Sequence, residues 1–199
     1  MASNPLEIYH FTLNAITVAW FAFAAVFLLR KRPPQTSPSR RDLTSLFGFF
    51  LQGCAYALVW MHFARLPQGN PVLPWIPAEL ARSILVIGLA AGSVWLVGSA
   101  VRTLGKQWAF TARLIEGHHL ITNGPYAFVR NPIYTGMFGM LLATGLAFGY
   151  WIQLILGILL FAIGLVIRIR SEEKLLRSAF GKEFEQYAQR VPAVLPGIY

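Results

Sequence analysis

The sequence predicts an all-α integral membrane protein of about five transmembrane helices, with an amphipathic helix at its C-terminal end. Three observations predict it. Of 199 residues, 56% are hydrophobic and only 13% charged, whereas a soluble domain carries about 25% charge. The apolar residues gather into five stretches, 11–29, 45–63, 83–101, 134–150 and 152–167, near the ~20 residues that a helix needs to cross the hydrocarbon core. When those stretches cross alternately, every Lys and Arg except Arg65 and Arg82 falls on one side. Basic loops stay cytoplasmic, which places the N-terminus outside and the C-terminus in the cytoplasm.

The elements follow in order. Residues 1–10 hold no Lys or Arg, and Arg30-Lys31-Arg32 follows the first stretch. That is a stop-transfer arrangement, so the first stretch reads as a retained span and not a cleaved signal. A Pro-rich polar loop, 33–39, leads to the second span. Gly48, Gly53 and Cys54 there are small residues that permit close helix approach. The third span carries Gly88 and Gly92, a small-xxx-small face expected to pack on a neighbour. The fourth and fifth stretches are short and nearly continuous, which predicts a tight hairpin. Residues 171–187 repeat apolar positions every three or four residues (Leu175, Leu176, Ala179, Phe180, Phe184, Tyr187), an amphipathic helix broken at Gly181. It either lies on the membrane or folds back over 102–133.

Five spans use about half the chain and leave no room for a large soluble domain. The chain therefore reads as one domain over 1–199, with three N-terminal spans in 1–101 and a polar-rich core in 102–199. The net charge of +9 serves topology and anionic lipid headgroups; no nucleic-acid partner is expected. The single cysteine, Cys54, reads as a packing residue. No Cys/His set has structural-zinc spacing, and no metal site is expected. Nothing in the sequence fixes an oligomeric state.

Two polar segments carry the chemistry. The first, 102–133, holds too many distinct polar side chains for a simple connection, among them Trp108, read as an interface anchor, the pair His118-His119, Tyr126, Arg130 and Asn131. The second begins at Arg168. From His118 the chain reads HHLITNGPYAFVRNPIYTG, and from Arg168 it reads RIRSEEKLLRSAFGKEFEQY. Together these resemble the C-terminal signature of the integral-membrane methyltransferases that include isoprenylcysteine carboxyl methyltransferases and phospholipid N-methyltransferases. The family pattern is roughly H-x-L-V, G-x-Y, R-H-P-x-Y-x-G, a helical hairpin, R-x-x-x-E-E and F-G-x-E-Y. The likeness runs from Gly105 to the C-terminus.

The resemblance implies that S-adenosyl-L-methionine binds in a cytoplasm-facing pocket built from the two segments. Carried over by position, His118, Leu120, Ile121, Tyr126, Asn131, Pro132, Tyr134 and Glu172 would hold it. Arg168 matches the arginine that faces the acceptor, so Arg168 and Glu172 form the expected catalytic pair. Asn131 stands where the family has histidine. The implied acceptor is a lipophilic small molecule or lipid-modified substrate taken from the membrane, with isoprenylcysteine carboxyl O-methylation the nearest class.

The residue chemistry agrees independently. A pocket for a sulfonium nucleoside needs aromatic faces or carboxylates near its cations, which Tyr126, Tyr134, Glu172 and Glu173 offer. An arginine holds an ionised carboxylate acceptor without a general base. A phospholipid amine or a thiol remains open as acceptor. So do two other classes, an NADPH-dependent membrane reductase and a non-catalytic membrane scaffold. Arg130 and Arg170 read as structural or anchoring residues.

Overall fold

The computed structural model describes residues 4–29, 43–61, 75–105 and 120–194. These form α1 (Pro5–Leu28), α2 (Leu43–Trp60), α3 (Ile76–Leu104), a 3-10 turn (Gly124–Ala127), α4 (Pro132–Phe148), α5 (Trp151–Phe180) and α6 (Lys182–Arg190). The loop expected over 33–39, with Trp108, His118 and His119, lies outside the described residues. The α1, α3 and α5 helices are each long and apolar enough to cross a membrane, and α2 and α4 are shorter apolar helices. The molecule is an all-helical integral membrane protein.

Local chemistry sets the helix ends. Asn4 caps α1 by accepting from the Leu6 amide at 3.1 Å, with Pro5 in the first turn. Proline also opens α4, at Pro132, where its missing N–H costs nothing. Gly149, left-handed at φ 73°, ends α4, and only Gly149-Tyr150 separates it from α5. The expected hairpin is therefore present.

Two expectations change. The fifth span does not stop at 167: α5 runs unbroken for 30 residues, about 45 Å at 1.5 Å per residue. This exceeds the hydrocarbon thickness of about 30 Å, so one end of α5 projects beyond the core. Residues 171–180 belong to that rod, and only the part after Gly181 (φ 50°) is a separate amphipathic helix. It folds back over the 120–131 segment instead of lying apart from it, because Tyr187 Oη donates to the Tyr126 carbonyl at 2.7 Å. Second, Gly88 and Gly92 are exposed and meet no neighbour. The packed stripe of α3 is Val86, Ala90, Ser93, Val97 and Val101, a different face of the helix.

Helices in an apolar medium associate through close packing and hydrogen bonds. Accordingly α3 packs along α1 and α4, α2 packs along α5, and α4 joins the two groups. At the α2–α5 crossing Gly48 and Gly164 meet backbone to backbone: a Cβ on Gly48 would stand 2.7 Å from the Gly164 carbonyl oxygen. Tyr56 Oη donates to the Met137 carbonyl at 2.6 Å, and Trp20 Nε1 to Thr144 Oγ1 at 3.0 Å. At the α3–α4 crossing a Cβ on Gly136 would overlap Val97 and sit 3.0 Å from the Ser93 carbonyl. Gly136→Ala is therefore expected to destabilise the protein by about 1–3 kcal/mol, while Gly92→Ala, with open space around it, leaves the thermal midpoint unchanged or raised. Melting both variants in one detergent checks the contrast.

Candidate functional site

Residues 120–131 of the first polar segment meet the second segment at one end of the helices. Gly124 (φ 59°) turns the chain against the end of α3; a Cβ there would stand 3.0 Å from Thr103 Oγ1. The 3-10 turn then buries Pro125 and Tyr126. Residues 130–135 bind the chain after α6. The Arg130 amide donates to the Pro192 carbonyl at 2.8 Å, and the Asn131 amide and Nδ2 both donate to the Ala193 carbonyl, at 2.9 and 3.0 Å. Thr135 Oγ1 donates to the Val194 carbonyl at 2.8 Å.

Arg130 holds this arrangement together. Its Nη2 lies 2.8 Å from Glu173 Oε1 on α5, and its Nη1 donates to the Ala188 carbonyl at 2.8 Å and to that of Val191. Both partners of the ion pair are buried, with side chains 7% and 5% exposed. Glu173 Oε2 also accepts from Arg177 Nη2 at 3.1 Å, and Arg177 Nε donates to Glu185 at 2.8 Å. These contacts are those of a structural residue, and Glu173 belongs to the same latch. Arg170 is exposed.

Beside the latch lies a cavity of about 80 Å³, walled by Leu104, Leu120, Ile121, Tyr126, Arg130, Asn131, Glu173, Leu176, Phe184 and Tyr187. Burial, and then the Glu172 carboxylate, push the Tyr126 phenol well above its usual range. Burial raises Tyr187 to about 12. Both phenols stay neutral at physiological pH and remain hydrogen-bond donors.

Arg168 is buried in a separate cluster of side chains. Its guanidinium lies 4.7 Å from the Tyr134 ring centroid and 5.4 Å from that of Phe49. Its Nη1 donates to Gln52 Oε1 at 3.1 Å, and its Nη2 is 3.8 Å from Glu172 Oε1. That same Glu172 oxygen accepts from the Tyr134 phenol. Gln52 is buried, and its Nε2 has no hydrogen-bond partner among the described residues, an arrangement that costs about 1–3 kcal/mol.

Of the residues expected from the sequence, Leu120, Ile121, Tyr126 and Asn131 share the cavity wall. Tyr134 and Glu172 join Arg168 instead. Pro132 is buried at the start of α4 and is not among the cavity residues. Asn131 both lines the cavity and ties down the chain end. Gln52 and Phe49 were not foreseen, although an amide inside an apolar span is itself a signal. The parts played by Leu104, Leu176 and Phe184 are set by packing, and that of Tyr187 also by its hydrogen bond to the Tyr126 carbonyl.

The fold and the site thus define an α-helical membrane protein with a polar, arginine-centred site at one end of its helix bundle. The chain belongs to the phospholipid methyltransferase family, whose model matches residues 81–183. It is 32% identical over 112 residues to protein-S-isoprenylcysteine O-methyltransferase of Schizosaccharomyces pombe, covering 55% of this chain and 48% of that protein. It is 34% identical over 105 residues to the cobalt-zinc-cadmium resistance protein CzcN of Cupriavidus metallidurans, covering 51% and 47%. The chain therefore spans about half the length of these curated relatives. Its fold is similar to that of the eukaryotic intramembrane Ras methyltransferase ICMT (isoprenylcysteine carboxyl methyltransferase), with a TM-score of 0.61 and 20% identity, covering all of this chain and 69% of that one.

Proposed function

We propose that this chain is a membrane methyltransferase that uses S-adenosylmethionine and methylates the carboxylate of a lipophilic, prenylcysteine-like acceptor, with its site facing the cytoplasm. The observation that carries this reading is the Arg168–Tyr134–Glu172 group beside an aromatic and aliphatic cavity, in a chain related to isoprenylcysteine O-methyltransferases. The donor set suits the cofactor. Leu104, Leu120, Ile121 and Leu176 give an apolar slot for a flat base, Tyr126 offers a ring face for a cation, and Asn131 brings an amide. The cavity is smaller than the usual 300–1,000 Å³ of a ligand site, so a whole cofactor reaches beyond the described walls. When bound, S-adenosylmethionine supplies an already activated methyl group.

The chain's own residues then have limited tasks. Arg168 binds and orients the acceptor carboxylate through charge-assisted hydrogen bonds. That carboxylate is ionised at neutral pH, so no group need remove a proton. Tyr134 and Glu172 fix the guanidinium. Tyr126, Phe184 and Tyr187 keep water from the reacting groups, which leaves alignment as the main contribution. Arg130 and Arg177 each engage carboxylates or carbonyls of the chain, which favours this reading over a reductase that needs clustered arginines for a nucleotide phosphate.

The test is transfer of labelled methyl from S-adenosylmethionine to S-farnesylcysteine by the purified chain in lipid. A base-labile labelled ester is expected. A base-stable labelled phospholipid amine would move the acceptor to another class, and NADPH consumption without label would overturn the reading. Tyr126→Ala, which removes a cavity wall, is expected to raise the Kd for S-adenosylhomocysteine about tenfold, roughly 1.4 kcal/mol. Unchanged affinity would remove the cofactor from this cavity.

A further inference from the structure

We infer that Gln52, helped by Gly48, is a positioning residue for Arg168, so that the second helix takes part in acceptor recognition; this rests on the function proposed above. The stretch of α2 from Gly48 to Gln52 forms one side of the arginine's slot. A Cβ on Gly48 would stand 2.6 Å from Arg168 Cγ, so only glycine leaves room for the stem. Phe49 lies against the guanidinium at 5.4 Å, and one turn beyond Gly48 the Gln52 amide takes the head group through Oε1. Chemistry fixes which end of the amide faces the arginine: a guanidinium only donates, so the carbonyl oxygen must point at it.

Stability does not account for Gln52. It is buried in an apolar helix, 1% exposed, and its Nε2 is left without a hydrogen-bond partner among the described residues. An aliphatic side chain of similar size would avoid that cost, and polar residues kept inside membrane spans mark functional sites. An amide also does what a carboxylate would not. It orients the guanidinium without adding a second negative charge beside Glu172, whose carboxylate already lies 3.8 Å away. The contact joins residues 116 positions apart, and Gln52 lies outside the segments that carry the family signature.

The experiment compares Gln52→Leu and Gln52→Glu with wild type, reading kcat/KM for S-farnesylcysteine and, separately, the Kd for S-adenosylhomocysteine. Gln52→Leu is expected to lower kcat/KM about tenfold with cofactor Kd within twofold of wild type. Gln52→Glu keeps volume and hydrogen-bond acceptor, so it reads the site even where the leucine variant folds badly; it too is expected to lose acceptor turnover. In an Arg168→Ala background, Gln52→Leu should add no further loss, because residues acting through one another are not additive. Wild-type kcat/KM in both single variants, equal weakening of both ligands, or a full additive loss in the double variant would overturn the inference. A wild-type chain that transfers no methyl would sink the functional reading instead. The Gln52 assignment is then read from direct binding of S-farnesylcysteine, and equal affinity in wild type and Gln52→Leu, or binding to neither, would overturn it.

Discussion

Arg130→Ala is expected to unlatch the C-terminal end of the chain and abolish cofactor binding. The guanidinium joins three elements: the turn ahead of α4, Glu173 on α5, and the Ala188 and Val191 carbonyls at the end of α6. Removing one member of a buried pair leaves its partner's charge uncompensated, at a cost of about 3–5 kcal/mol. Here Arg177 still reaches Glu173, so the lower end of that range is expected. The loss should concentrate at the site, because α1–α4 packing does not involve this residue. Limited proteolysis should cut the variant after Gly181 at protease levels that leave wild type intact, with a lowered melting midpoint and no measurable affinity for S-adenosylhomocysteine. Arg130→Lys keeps charge but not the planar set of donors, and should fall between the two. A variant with wild-type proteolysis and affinity would show that Tyr187, Asn131 and Thr135 hold the chain end without the arginine.

Arg168→Ala should behave in the opposite way: little change in fold or cofactor affinity, and a large fall in turnover. The side chain is buried yet sits between two rings and two oxygen partners, and the cavity wall does not include it. Loss of a preorganised charged donor to a reacting oxygen costs about 100-fold or more in kcat. Single-turnover methyl transfer, set against cofactor binding by calorimetry, separates the two quantities. Equal loss in both would place Arg168 in the cofactor site and leave the acceptor carboxylate without its partner.

Much of this was legible in the residues. The apolar stretches at 11–29, 45–63 and 83–101 became α1, α2 and α3 because a long uncharged run has few alternatives to a helix in lipid. The break at Gly181 was legible because the apolar periodicity pauses there. Tyr126, Arg168 and Glu172 stood out as polar groups in recognisable spacing. The course of 168–180 was not legible, since an amphipathic stretch fits a separate surface helix as well as the projecting end of a rod. The packing face of α3 was also hidden. Gly88 and Gly92 have the right spacing, but Gly136 and Gly139 on α4 are the glycines that take the close contacts with α3. The division of the polar residues between a cavity and an arginine slot came from neighbours far off in sequence, such as Ala193 for Asn131 and Gln52 for Arg168.

By itself the sequence determined the helical class, the order of the apolar segments and the two stretches in which chemistry is concentrated. These depend on hydropathy, charge and local spacing, properties each segment carries alone. The tertiary structure decided which faces meet, that the chain end is latched by Arg130, and that α2 supplies the amide facing Arg168. In an apolar medium a helix is hydrophobic all round, so its pattern does not mark the contact face; that choice is made by small-residue fit and by hydrogen bonds between distant segments.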